Sequence, residues 1–131
     1  MNTKLNKILA EISAGELVDK ITILEIKREK ILDQTKLIEV NKELNSLKNT
    51  FEKEIFDKSK IENLIEELKK INFELWDMEE GKRKAEKNKS FDENFIQLSR
   101  SVYKGNDKRA KIKLKINEIL GSNIKEVKSH Y

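Results

Sequence analysis

The chain contains no cysteine and no proline, and it has only four glycines and one histidine, His130. Without cysteine it can form neither a disulfide nor a thiolate metal site. His130 stands next to the C-terminus, which nearly excludes a histidine-based zinc site or a Ser-His-Asp triad. No run approaches the roughly 18 apolar residues of a membrane-spanning helix. Lys4 and Lys7 break up the apolar positions of residues 1–12, so no signal-peptide core forms there. These absences lead us to expect a soluble cytoplasmic protein without disulfides. Aromatic residues make up 6% of the 131-residue chain and charged residues 40%. That composition, rich in Lys, Glu, Leu and Ile, is typical of helical bundles and coiled coils.

The net charge of +4 is unevenly spread. Residues 1–99 carry 19 basic and 21 acidic groups, whereas residues 100–131 carry 9 and 3. Lysine outnumbers arginine 24 to 4, which singles out Arg28, Arg83, Arg100 and Arg109. Arginine is the better side chain for planar, bidentate anion recognition.

Helix starts are written as Ser-x-x-Glu boxes at Ser13/Glu16, Ser59/Glu62 and Ser90/Glu93. The first opens a helix over 14–32 that is apolar around much of its circumference: Leu17, Val18, Ile21, Ile23, Leu24, Ile26, Ile31 and Leu32. Such a helix is expected to be surrounded by others. Asp19, Lys20 and Glu25 ride on it, and buried charges need partners. A second helix over 35–55 spaces Leu37, Val40, Leu44, Leu47 and Phe51 by three and four. A third, over 60–88, does the same with Ile61, Leu64, Leu68, Ile71, Leu75 and Met78. Shared seams and a short connection predict an antiparallel, coiled-coil-like hairpin over 35–88, with its tip at 50–65 projecting. Phe73 and Trp76 lie off that seam and point elsewhere. A fourth helix follows Ser90, and Gly105 is expected to end it. A fifth starts at Asn106 and ends near Gly121; its KIKLKI stretch alternates like a strand, but the following NEIL-Gly favours helix. The segments 7–12 and 123–131 read as short and extended, able to pair with each other. The expected fold is a single all-α domain, 1–131, whose base is formed by 1–32 and 89–131 around the hairpin.

Two constellations carry chemistry. In RSVYKGNDKRAKIK, Arg100 and Tyr103 share a helix face, Asn106 opens a new helix, and Arg109 and Lys113 line its edge. A helix N-terminus offers free amides to an anion. With Trp76 or Tyr103 to stack on a base and Lys20 nearby, this corner suits a phosphate attached to a flat ring. The second constellation is acidic: Glu16/Asp19 and Glu74/Asp77 each place two carboxylates on one helix face. Facing pairs of this kind hold Mg²⁺ in helical bundles, although the ExxE half of the pyrophosphohydrolase pattern is missing. The lysine-rich GKRKAEKNK, residues 81–89, reads as a solvated helix end.

The segments SAGELVDKITILEIK, ELWDMEE, FIQLSRSVYKGNDKRAKIK and INEILGSNIKEVKS resemble a family of small bacterial and phage proteins known only as a domain of unknown function. The resemblance implies an all-helical domain and no established activity, so it assigns no residue a role. The leading expectation is a non-enzymatic binder of an anionic, nucleotide-like small molecule, without a cofactor. By analogy of size, it would act like the small helical oligomers that sequester cyclic-nucleotide immune signals. The alternatives are an Mg²⁺-dependent nucleotide pyrophosphohydrolase and a helical protein adaptor. Nucleic acid ranks last as a partner, a membrane is not expected, and a homo-oligomer is, because a small core favours burial against a copy.

Overall fold

A computed structural model describes residues 4–130. Among these, the regular structure is all helical: α1 (Ala14–Lys30), α2 (Gln34–Glu54), a 3-10 turn (Lys58–Lys60), α3 (Glu62–Asn88) and α4 (Glu93–Leu120). No helix among them is long and apolar enough to cross a membrane.

Ser13 caps α1, its hydroxyl accepting from the Glu16 amide at 3.0 Å. Asp33 caps α2 in the same way. The other two boxes are read differently by the fold. Ser59 sits inside the 3-10 turn, and α3 opens at Ile61 without a side-chain cap. Asp92, not Ser90, caps α4. A carboxylate there also meets the positive end of the helix dipole. Ser90 instead closes the end of α3, its amide donating to Ala85 O at 2.9 Å beside Lys89 in left-handed geometry.

The break expected at Gly105 is absent, and α4 runs straight through it. The glycine serves packing. It is buried against α3, where an added Cβ would stand 2.8 Å from Leu75 Cδ2. Gly81 of α3 faces Leu98 of α4 in the same manner. Small residues on each helix let the two axes approach closely. Gly121, at φ +64°, ends α4 as expected, and KIKLKI is helical. The segments 4–12 and 123–130 contain no helix, and no strand ladder joins them.

Both predicted seams are buried, but α1 stands against each of them. Val40 and Leu44 of α2 pack on Leu24 of α1. Ile61, Leu64 and Leu68 pack on Val18 of α1 and Ile116 of α4, and of α2 only Phe51 joins them. α1 therefore contacts the three other helices, and α3 lies along α4. The hairpins are α1 with α2 and α3 with α4, in place of the expected pairing across 35–88. The physical reason is the wide apolar surface of α1, which covers both seams and leaves little for them to bury on each other. The end expected to project is packed against the bundle through Ile55, Ile61 and Leu64, which are buried, while Phe56 stands exposed. The longest stretch without a buried side chain is 76–104, at the other end of the α3–α4 hairpin.

Candidate functional site

Charge gathers where α1, α3 and α4 meet. Asp19 is completely buried. Its carboxylate accepts from Arg109 Nε at 2.9 Å and, through its second oxygen, from Arg109 Nη2. Asn72 Nδ2 donates to Asp19 at 2.8 Å and to Thr22 Oγ1 at 2.9 Å, while the Thr22 hydroxyl donates to the Asp19 carbonyl. One turn along α4, Lys113 Nζ donates to Glu16, lies 3.3 Å from Glu126 and 3.8 Å from Asp19. Glu16 thus turns to Lys113 and, at 3.5 Å, to Lys20, rather than back to the Ser13 amide.

The hydrogen bonds to Asp19 hold the Arg109 guanidinium above the ordinary arginine value, against the opposing effect of burial. Burial pulls the Lys113 ammonium down, but its bond to Glu16 and the charges of Asp19, Glu16 and Glu126 outweigh that, so its pKa is raised. Both cations are locked in their charged form by carboxylates of the same chain. Among the described residues no buried side-chain nitrogen or oxygen lacks a partner.

The last described residues complete this region. Asn117, fully buried, accepts from the Gly15 amide at 2.6 Å and donates to Lys125 O at 3.1 Å. Ser122 Oγ accepts from the Ala14 amide, and Ser13 Oγ donates to Glu126 at 2.7 Å. Gly15 is required here, because a Cβ would meet the Lys113 carbonyl and, at 2.9 Å, Asn117 Oδ1. Side chains of α4 and the tail therefore supply partners for the free amides at the start of α1.

The predicted ligand-binding residues divide. Trp76, Asn106 and Arg109 line one cleft of about 580 Å³ whose apolar wall includes Ile26, Leu75 and Val102. Arg83, Glu79 and Glu80 line it as well, and the Trp76 indole donates to Glu80 at 3.1 Å. Asn106, Arg109 and Lys113 line a second groove beneath the 125–128 tail. Lys20, Arg100 and Tyr103 are exposed and line neither. Because α4 is continuous, Asn106 does not open a helix and the expected anion cradle of free amides does not form. The predicted metal set is also dispersed. Asp19 is held by Arg109, Asp77 lies 3.8 Å from Lys30, and Glu74 is exposed beside Phe73. Among the described residues no group of three Asp, Glu, His or Cys side chains is placed to hold a metal ion.

Sequence reasoning missed Asn72, Asn117 and Glu126. Asn72 was detectable as a polar residue beside the apolar seam between Leu68 and Leu75. Nothing local marked the other two.

A family model described as a family of unknown function (DUF6165) matches residues 8–131. The chain belongs to this family. No curated protein and no solved structure matches it. The match spans all four helices and the charge network, so the network lies wholly within the family domain.

Proposed function

We propose that the protein is a non-enzymatic binding module for phosphodiester polyanions, holding a single-stranded oligonucleotide by its phosphates along the outer face of α4. The observation that carries this reading is a row of cations, Arg100, Lys104, Lys108 and Lys115, spaced 4, 4 and 7 and all exposed. They lie about 120° around the helix from the face that turns Gly105, Arg109 and Ile116 inward, and they extend over about 22 Å of helix. Between residues 94 and 117 the one carboxylate is Asp107, and Lys128 lies 3.3 Å from it. Like charges three or four apart cost roughly 0.2–0.5 kcal/mol per pair. A phosphate chain laid along the row relieves that repulsion. Tyr103, 54% exposed, stands beside the row and offers a ring for a base to stack on. The reading departs from the expected nucleotide-like small molecule and moves nucleic acid from last place among the partners to first, because Arg109 and Lys113 are already neutralised by Asp19, Glu16 and Glu126.

The test is fluorescence anisotropy with a labelled single-stranded oligonucleotide over a salt series. Four phosphate contacts correspond to a log–log slope of about −3. The charge reversal Lys104→Glu/Lys108→Glu should abolish binding while leaving the circular dichroism spectrum unchanged. Binding that is absent at low salt, or indifferent to the reversal, rules the reading out.

A second reading rests on the convergence of Trp76, Asn106 and Arg109 in one cleft. A small nucleotide-like molecule seated there would raise the melting temperature and be recovered unchanged, with or without Mg²⁺. Trp76→Ala would remove that shift, whereas the α4 reversal would not.

A further inference from the structure

The end of the bundle where α1 begins carries a groove of about 650 Å³. Leu17, Ile55 and Leu120 line it with Phe56 and Ile119. Phe56 is 92% exposed, the state of a side chain waiting for cover. Glu11 and Glu54 add negative charge to the same groove, and Asp57 on its rim is paired with Lys60 at 3.8 Å. Beside it runs the extended segment 4–12, with Leu5 81%, Ile8 81% and Leu9 90% exposed. Its backbone makes no hydrogen bond to any other described backbone.

We propose that this groove receives residues 4–9 of a second copy of the chain, giving a two-fold dimer by reciprocal exchange. The segment carries what the groove lacks. Leu5, Ile8 and Leu9 match its apolar lining, and Lys4 and Lys7 match the carboxylates Glu11 and Glu54. The segment does not fill its own groove. Its residues Ala10, Glu11 and Ile12 already form part of the lining, and Leu5, Ile8 and Leu9 run on from them exposed, outside their own groove. Six extended residues reach about 20 Å, enough to cross to a neighbour. Exchange related by a two-fold axis fills both grooves at once and closes the assembly.

Sedimentation velocity over a concentration series tests this on the whole chain. The unaltered protein should show a monomer–dimer equilibrium. Leu5→Asp/Leu9→Asp and Phe56→Asp should each weaken it by about tenfold or more, with an unchanged helical spectrum. A mixture of the two variants retains one intact segment and one intact groove, so it should associate better than either alone. Lys4→Glu/Lys7→Glu should weaken the dimer, and Glu11→Lys/Glu54→Lys in the same chain should restore it. A strictly monomeric protein, or a dimer indifferent to these changes, overturns the proposal. Oligonucleotide binding by α4 is read separately, so the two proposals stand or fall independently.

Discussion

Asp19 is a fully buried carboxylate on the most enclosed helix of the molecule, and its surroundings explain why it persists. A bidentate guanidinium and an amide satisfy its oxygens, and Asn72 is itself tied to Thr22. Removing one partner of a buried pair leaves the other uncompensated, at a typical cost of about 3–5 kcal/mol. Arg109→Met should therefore lower the unfolding free energy by that amount in urea titrations. Adding Asp19→Asn to the same chain should recover about 1–3 kcal/mol. Lys113 makes a different case, because its effect depends on pH. Its pKa is raised in the fold, so its stabilisation is complete below the ordinary lysine value of 10.5 and is lost as pH climbs through the raised value. The stability difference between the protein and Lys113→Met should stay constant from neutrality to about pH 9.5 and shrink above it. A difference that changes instead on the acid side would assign the effect to other groups.

At the scale of elements, two helix ends make opposite use of the left-handed conformation. α4 ends on Gly121 at φ +64°, in open space. α3 ends on Lys89 at φ 52°, where a side chain with a Cβ bears the strain. Lys89→Gly should stabilise the protein by about 0.5–1 kcal/mol, and Gly121→Ala should destabilise it by about 1 kcal/mol. Thermal melts of the pair check both signs. The two glycines that follow α4 inward from that end illustrate what sequence can and cannot say. Gly121 and Gly105 both read as helix stops. Only the structure separates them, because Gly105 is occupied by Leu75 of a neighbouring helix and Gly121 by nothing.

Across the whole molecule, legibility followed the range of the interaction. Ser13, the α1 periodicity and the α2 and α3 seams are local signals, and they locate helices and apolar faces correctly. Which face meets which is not local. The seams of α2 and α3 matched each other on paper, yet α1 competes for both and covers them. The candidate site shows the same limit. Asp19 and Arg109 were each singled out, but they are 90 positions apart, and no spacing rule reveals that one neutralises the other. That pairing is what turns the expected anion corner into an internal network.

The joining of α1 to the tail also imposes an order in time. The amides of Ala14 and Gly15 bond to Ser122 and Asn117, and Ser13 to Glu126, at separations of 108, 102 and 113 residues. A ribosome adding roughly 5–20 residues per second needs about 5–20 s to travel that far. For that interval α1 exists with its first turn uncompleted, and Gly15 presents bare backbone where α4 has yet to arrive. Of the four described helices, α1 is thus made before the others yet finished among the last, and it is locked by residues 117–126 rather than by its nearer neighbours.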